Sequence, residues 1–316
     1  MNTLLDIAKI NGSDAIVGLI DETTKLHPEV TKVAARIIKG LLYKTLIRTG
    51  LPTAGFRNAN EGATPSNSVF ENRIVETYIL NPMWQVDKAV ADKDEDGAQA
   101  LIAIEGEGMV EAGMQTIAKQ FYYGANNGGD AKGFPGLIDA YDPTNMVVDA
   151  GGTTASTGSS VWLIKTDTKN VQWVWGADGA LELSDVTTQR VPDPNNAAKY
   201  LTMYLQEILA YPGLQVGSIR GVCRIKKLTA DSGKGLTDAW LAQAIALFQA
   251  GIRPDLILMS RRSRSQLQQS RTVVLQGGGA GNAKGDSMAL APTPTSYEGI
   301  PIEATDAILN TESLTL

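Results

Sequence analysis

Residues 96–123 read as one helix, with Ile102, Met109, Gly113, Ile117 and Phe121 on a single stripe at helical spacing. At ~1.5 Å per residue such a helix is about 40 Å long, which is long for a compact domain, so the rest of the chain has to be organised along it. Gly106, Gly108 and Gly113 lie inside it. Each costs about 1 kcal/mol relative to alanine, so they are expected to admit close packing. Gly124-Ala125-Asn126-Asn127-Gly128-Gly129 supplies a strong stop.

Before the helix, Asp92-Lys93-Asp94-Glu95-Asp96-Gly97 matches the first half of a calcium loop, D-x-D-x-D-G. The second half fails, because the closing carboxylate position is Ala103 and the ninth position is Ala100. The acids are better read as complements to the positive end of the helix that follows.

On its N-terminal side the chain offers amphipathic pieces. Leu4, Leu5 and Ala8, then Ala15, Ile16, Leu19 and Ile20, and after His27-Pro28 the run Val30, Val33, Ala34, Ile37, Ile38, Leu41 and Leu42 all sit at helical spacing. A Gly, Pro, Asn, Ala and Thr stretch from Gly50 to Pro65 then leads to SVFENRIVETYIL at 68–80, and together these predict a long hairpin. Its returning strand puts Arg73, Val75, Thr77 and Ile79 on one face and Ile74, Glu76, Tyr78 and Leu80 on the other. Neither face is a simple core face, so the hairpin is expected to protrude or to touch partners.

After the helix, 161–176 reads as a second hairpin turning near Asp167–Asn170, residues 197–210 as a helix and 221–228 as a basic strand. A helix over 238–249, a buried strand over 256–259 and a helix over 261–271 follow. Trp162, Trp173 and Trp175 are candidates for a sugar-stacking platform, although core aromatic pairs are the commoner use of such residues. Ser232-Gly233-Lys234-Gly235-Leu236-Thr237 lacks the spacing of a phosphate loop and reads as a plain loop with Thr237 or Asp238 capping the next helix. Gly277-Gly278-Gly279-Ala280-Gly281 has no helix and acid to make it a dinucleotide fingerprint.

Composition removes whole classes of function. There is one histidine, His27, and one cysteine, Cys223, so histidine-ligated metal chemistry, a zinc site, a CxxC pair and an internal disulfide cannot be built from one chain. No metal and no cofactor is expected, and no catalytic set stands out among the 34 acids. With 28 basic residues the net charge is -6, which argues against a general polybasic nucleic-acid surface. No apolar run of membrane-spanning length and no secretory start is present, so a soluble protein in a reducing cytoplasm is expected. The densest basic cluster is Arg261, Arg262, Arg264 and Arg271. With Arg57 and Arg73, and with Glu61, Glu71 and Glu76 as acidic counterparts, these residues are the candidates for contacts between subunits.

The order of these parts resembles the major capsid proteins of tailed double-stranded DNA bacteriophages, the Hong Kong 97 fold. The resemblance rests on the amphipathic arm, the Gly/Pro-rich hairpin, the long helix ending in Phe121-Tyr122-Tyr123-Gly124, Phe134-Pro135-Gly136-Leu137, the unit Pro254-Asp255-Leu256-Ile257-Leu258-Met259-Ser260, and Tyr297-Glu298-Gly299-Ile300-Pro301-Ile302.

It implies an α+β chain with an N-terminal arm at 1–47, an extended loop at 48–82 and a peripheral domain at 83–130 carrying the spine helix. A mostly axial domain at 131–300 and a C-terminal segment at 301–316 complete it. It also implies a non-enzymatic protein that assembles through hexamers and pentamers into an icosahedral shell around double-stranded DNA, with arm and loop reaching across neighbours. A separate scaffolding protein, a portal protein, weak nonspecific contact with the packaged DNA, a place for a decoration protein, and assembly in the host cytoplasm are the implied partners and setting.

Some members lock the shell through a loop lysine, but no lysine lies between Lys44 and Lys88, so noncovalent reinforcement is expected. A bacterial nanocompartment shell of the same fold, and a carbohydrate-binding or hydrolytic protein using the three tryptophans, are the competing readings.

Overall fold

The computed structural model describes residues 21–95, 97–179, 182–193, 196–271, 273–275, 287–289 and 291–315. The first amphipathic run and the glycine cluster at 277–281 therefore lie outside the described residues. Pro28 opens a single-turn helix, α1 (Pro28–Lys32), which suits a residue with no N–H to donate. The helix predicted to continue to Leu42 does not form. The chain turns instead into β1 (Ala35–Ile37), whose backbone is taken up by a parallel strand far along the sequence.

The predicted hairpin follows as β2 (Leu42–Gly50) and β3 (Val69–Glu76), antiparallel, with Leu42 opposite Glu76 and Arg48 opposite Phe70. It begins earlier than expected, so Lys44 belongs to it.

After β4 (Met83–Asp87) and the short α2 (Lys88–Ala91) comes the spine helix α3 (Ala98–Tyr123). Gly97 stands at its N-cap and its first turn carries no acid, contrary to the dipole reading of the acidic run. Asp92 pairs with Lys88 at 3.0 Å instead, and Asp96 is outside the described residues. Leu101, Ile102 and Met109 on the first half of α3 pack with Trp84, Val86 and Ile208, while Ile117, Phe121, Tyr122 and Tyr123 on the second half enter a different cluster. The spine thus joins two cores. Of its glycines, Gly106 and Gly113 face Gln206 and Pro82 at ordinary contact distance and Gly108 faces nothing within the described chain, so they do not mark tight packing inside the subunit.

The helix stops where two backbones meet. Gly124 has φ +59, and a Cβ there or on Gly136 would run into the other glycine's backbone. Gln120 locks this corner, accepting from Asp130 N at 2.7 Å and donating to Phe134 O at 2.6 Å.

The remaining elements are α4 (Leu137–Ala140), β5 (Val147–Asp149), β6 (Ser159–Ile164), β7 (Val171–Trp175), β8 (Glu182–Leu183), β9 (Thr187–Asp193), β10 (Asn196–Leu209), β11 (Pro212–Val216), β12 (Val222–Leu228), α5 (Asp238–Ala246), β13 (Leu256–Met259), α6 (Arg261–Arg271), β14 (Val273–Leu275), β15 (Ser287–Ala289), β16 (Ser296–Tyr297) and β17 (Ile300–Ala304). A six-stranded sheet has the order β16-β17-β13-β6-β12-β5. Its central strand is buried on both faces, Trp162 and Ile164 toward the spine and Val161 and Leu163 toward α5 and α6. Cys223 lies on the second face, where burial pushes its thiol pKa up to about 12 and leaves it chemically quiet.

Two sequence expectations fail in this region. The expected hairpin at 161–176 is not one, because β6 sits in the six-stranded sheet while β7 pairs with β1 and β11 in a three-stranded sheet. The helix expected over 197–210 is instead β10, the longest strand, in a sheet of order β4-β10-β8 with β9 also paired to β10.

Candidate intersubunit surfaces

Strand pairing gives the hairpin two unlike faces. Tyr43, Ile47, Arg73 and Val75 turn toward the body, where Arg73 Nη1 donates to the carbonyl oxygens of Val216 at 2.7 Å and Gly217 at 3.3 Å. Gln172 donates to the Tyr43 hydroxyl at 3.3 Å, and the Arg36 guanidinium lies 5.1 Å from the Tyr43 ring. The opposite face carries Leu42, Ile74, Leu46 and Phe70 in a zigzag across the two strands, between Glu76, Lys44, Asn72 and Arg48. These four apolar side chains are 52–68% exposed. An exposed apolar zigzag of this kind, interleaved with charges, marks a contact surface. Beyond it the Gly/Pro segment carries Phe56, fully exposed, beside a tip in which Arg57 donates to Glu61 O at 2.7 Å.

A second apolar surface runs along the spine. Val110, Gly113, Met114 and Ile117 of α3 form, with Ile37 and Trp175, much of the wall of an open groove of about 340 Å³. Few polar groups reach it.

Most of the residues predicted to make charged contacts have partners within the chain. Arg261 pairs with Asp306 at 3.0 Å, Arg262 donates to the carbonyls of Thr157, Leu228 and Asn310, and Arg271 grips both oxygens of Asp238. Arg264 is half-exposed on α6, and Glu71 and Glu76 are exposed on the hairpin. Within the subunit, Arg261, Arg262 and Arg271 thus fasten α6 to its surroundings. Thr237 is at the N-cap of α5, as expected, but its side chain makes no capping bond.

Trp162 and Trp173 are completely buried, against Tyr122 and Tyr141 and against Phe121 and Phe134 respectively, so they cannot stack on a sugar. The carbohydrate reading falls with them. Among the described residues there is no group of three or more metal-ligating side chains, and no helix is long and apolar enough to cross a membrane.

Sequence reasoning missed one buried polar centre. In β12 the side chain of Arg224 turns inward and pairs with Glu312 at 3.1 Å, both at most 2% exposed. Tyr123 donates to Glu312 at 2.6 Å, Ser160 donates to the same carboxylate, and Arg224 donates to Ser160 at 2.9 Å. The guanidinium also lies 5.2 Å from the Trp162 ring. This network ties the C-terminal segment to the end of the spine. Burial and the neighbouring carboxylate push the Tyr123 phenol well above its ordinary pKa, so it stays a donor.

Comparison with known proteins follows the same lines. The sequence model of the family described as major capsid protein GP7 matches residues 12–315. Among solved structures, the chain is similar to a protein of bacteriophage Epsilon15, with 22% identity, a TM-score of 0.73, and coverage of 99% of this chain and 97% of that one. It is similar to the capsid of Myoviridae phage XM1 at 9% identity and a TM-score of 0.51, over 69% of this chain and 97% of that one. A third similarity is to an encapsulin from Synechococcus elongatus PCC 7942, at 8% identity and a TM-score of 0.48, over 73% of this chain and 97% of the other. No curated protein matches.

Proposed function

We propose, from the premise that this chain belongs to the major capsid protein GP7 family, that its copies join by laying the exposed hairpin face of one against the spine groove of the next. The chain is a structural protein of the virion capsid, not an enzyme, and it assembles with itself. Its α+β fold is of the Hong Kong 97 type. The observation that carries the proposed contact is the pair of apolar surfaces, the Leu42/Leu46/Phe70/Ile74 face and the groove at Val110, Met114 and Ile117. A contact between two different patches of the same chain is heterologous, and such contacts close into rings when the rotation allows.

In this reading the hairpin is the extended loop, the spine with the β4-β10-β8 sheet is the peripheral part, and the six-stranded sheet is the axial part. Hexamers and pentamers of the subunit form an icosahedral shell around double-stranded DNA. A separate scaffolding protein directs assembly in the host cytoplasm, a portal protein occupies one vertex, and the outer surface is open to a decoration protein. A net charge of -6 suits weak, nonspecific contact with the packaged polyanion.

Size separation with light scattering, followed by negative-stain microscopy, tests the assembly. Megadalton shells, or hexamers and pentamers that convert to them, are the expected species. A protein that stays monomeric under crowding and raised salt overturns the reading. In the same assay Arg73→Ala should lower shell yield several-fold while leaving the subunit folded, because it releases the hairpin root from Val216 and Gly217 without touching a core cluster.

A further inference from the structure

The only histidine of the chain sits at a junction. His27 is 9% exposed, with Nδ1 3.7 Å from Glu29 Oε1 and Nε2 3.5 Å from Glu111 Oε1. Glu29 belongs to α1 and is completely buried, and Glu111 is on the spine. Neither imidazole nitrogen, nor Glu29 Oε1, has a hydrogen-bond partner among the described residues. The three groups therefore face one another with only charge between them. Their other partners are accounted for. Glu29 Oε2 accepts from Tyr122 at 3.3 Å, and Glu111 accepts from Gln115 at 2.7 Å and from the Lys25 amide at 3.0 Å. On the third side, Asp306 accepts from the Leu26 amide at 3.0 Å and pairs with Arg261, while Lys32 of α1 pairs with Glu303. Among the described residues, no cation other than protonated His27 is paired with Glu29 or Glu111.

The same carboxylates hold the backbone. Thr23 and Lys25 are held to the spine, Gln115 donating to Thr23 O and Glu111 accepting from Lys25 N, while Leu26 exchanges bonds with Asp306 beyond β17. We propose that His27 is a proton-operated clasp, which in its charged form bridges Glu29 and Glu111 and fixes residues 21–27 to the spine helix, and on deprotonation lets them go. Without the charge, a buried carboxylate loses its counter-ion and faces a second carboxylate, an arrangement the interior does not tolerate.

The direction of the pH dependence follows. The Glu29 contact, with help from Glu111 and against burial, holds the imidazole pKa above its ordinary value. A raised folded pKa gives stabilisation that is complete below the unfolded value of about 6.5 and is lost as pH rises through the folded value. Glu111 is shifted the other way, first by the Gln115 hydrogen bond, so its contribution is lost only as pH falls through its depressed value. The clasp is therefore closed at mildly acidic pH and opens as pH rises through the raised value of His27.

Hydrogen exchange with mass spectrometry on the full-length protein reads this through the Lys25 amide, which donates to Glu111. After correction for intrinsic exchange, protection of a peptide spanning 21–31 should fall several-fold between pH 6 and pH 8.5 as the charge on His27 is lost. His27→Lys, with a permanent charge, should stay protected at both values and His27→Gln at neither, while a peptide over 117–123 stays unchanged in all three and so excludes global unfolding. Equal protection of the wild type at both pH values, or a pH-dependent loss that persists in His27→Gln, overturns the proposal.

Discussion

Replacing Glu312 by alanine should destabilise the isolated subunit by about 3–5 kcal/mol, the usual consequence of leaving a buried charge without its partner. Arg224 is 1% exposed and already has one nitrogen, Nη1, without a hydrogen-bond partner among the described residues. Its remaining contacts after the substitution are Ser160 and the face of Trp162, neither of which carries a negative charge. Tyr123 loses an acceptor in the same step. A loss of this size is a large part of the roughly 5–15 kcal/mol that holds a domain folded.

The double substitution Arg224→Met with Glu312→Leu separates the pair's own worth from the penalty for breaking it. It should recover most of the loss, since apolar side chains of similar volume often replace a buried ion pair at little cost. Denaturant midpoints of the subunit under non-assembling conditions measure both. A Glu312→Ala midpoint equal to that of the wild type would show that the network contributes nothing. Because Glu312 N also bonds to Gly158 O at 2.9 Å, the tail's place at the sheet edge has a second support, and the fold should survive in weakened form.

Val222-Cys223-Arg224-Ile225 was legible as a strand, but nothing local says that an arginine in it turns inward. The answer lies at Glu312, in another part of the fold. The same distance hides other features. The spine was readable because helical periodicity is a local signal that accumulates over many turns, and 261–271 was readable for the same reason, whereas 256–259 showed as a short unbroken apolar run. Residues 196–209 place Tyr200, Met203, Tyr204 and Ile208 at spacings that suit a helix, yet they form a strand because Met203 meets Asp87 and Leu201 meets Val191. Likewise β6 and β7 look like a hairpin, but β12 and β13 occupy both edges of β6.

For the contact surfaces, the sequence exposed the mixed character of 68–80 and little more. Charge drew attention to Arg57, Arg73 and the 261–271 arginines, whereas register is what gathers Leu42 and Leu46 beside Phe70 and Ile74.

That face gives the prediction with the largest effect. Leu46→Asp combined with Ile74→Asp should leave the subunit as stable as before, to within about 0.5 kcal/mol, because both side chains are exposed in it and substitutions at such positions seldom cost more. Assembly should nevertheless fall below detection. Burying a leucine or isoleucine contributes about 1.5–3 kcal/mol, and a carboxylate forced into the same contact adds a desolvation cost of its own. In the proposed arrangement every subunit makes the contact, so the loss is multiplied around each ring and across the shell, where many modest contacts act together.

Met114→Asp on the spine groove tests the other half of the same contact and should produce the same loss, since an asymmetric contact fails from either side. Light scattering of the three proteins at matched concentration, beside their circular dichroism and denaturation curves, distinguishes the possibilities. Wild-type shell yield from the double hairpin variant would remove the hairpin face from the assembly. A loss with the hairpin variant but not with Met114→Asp would keep the face and place its seat elsewhere on the neighbouring subunit.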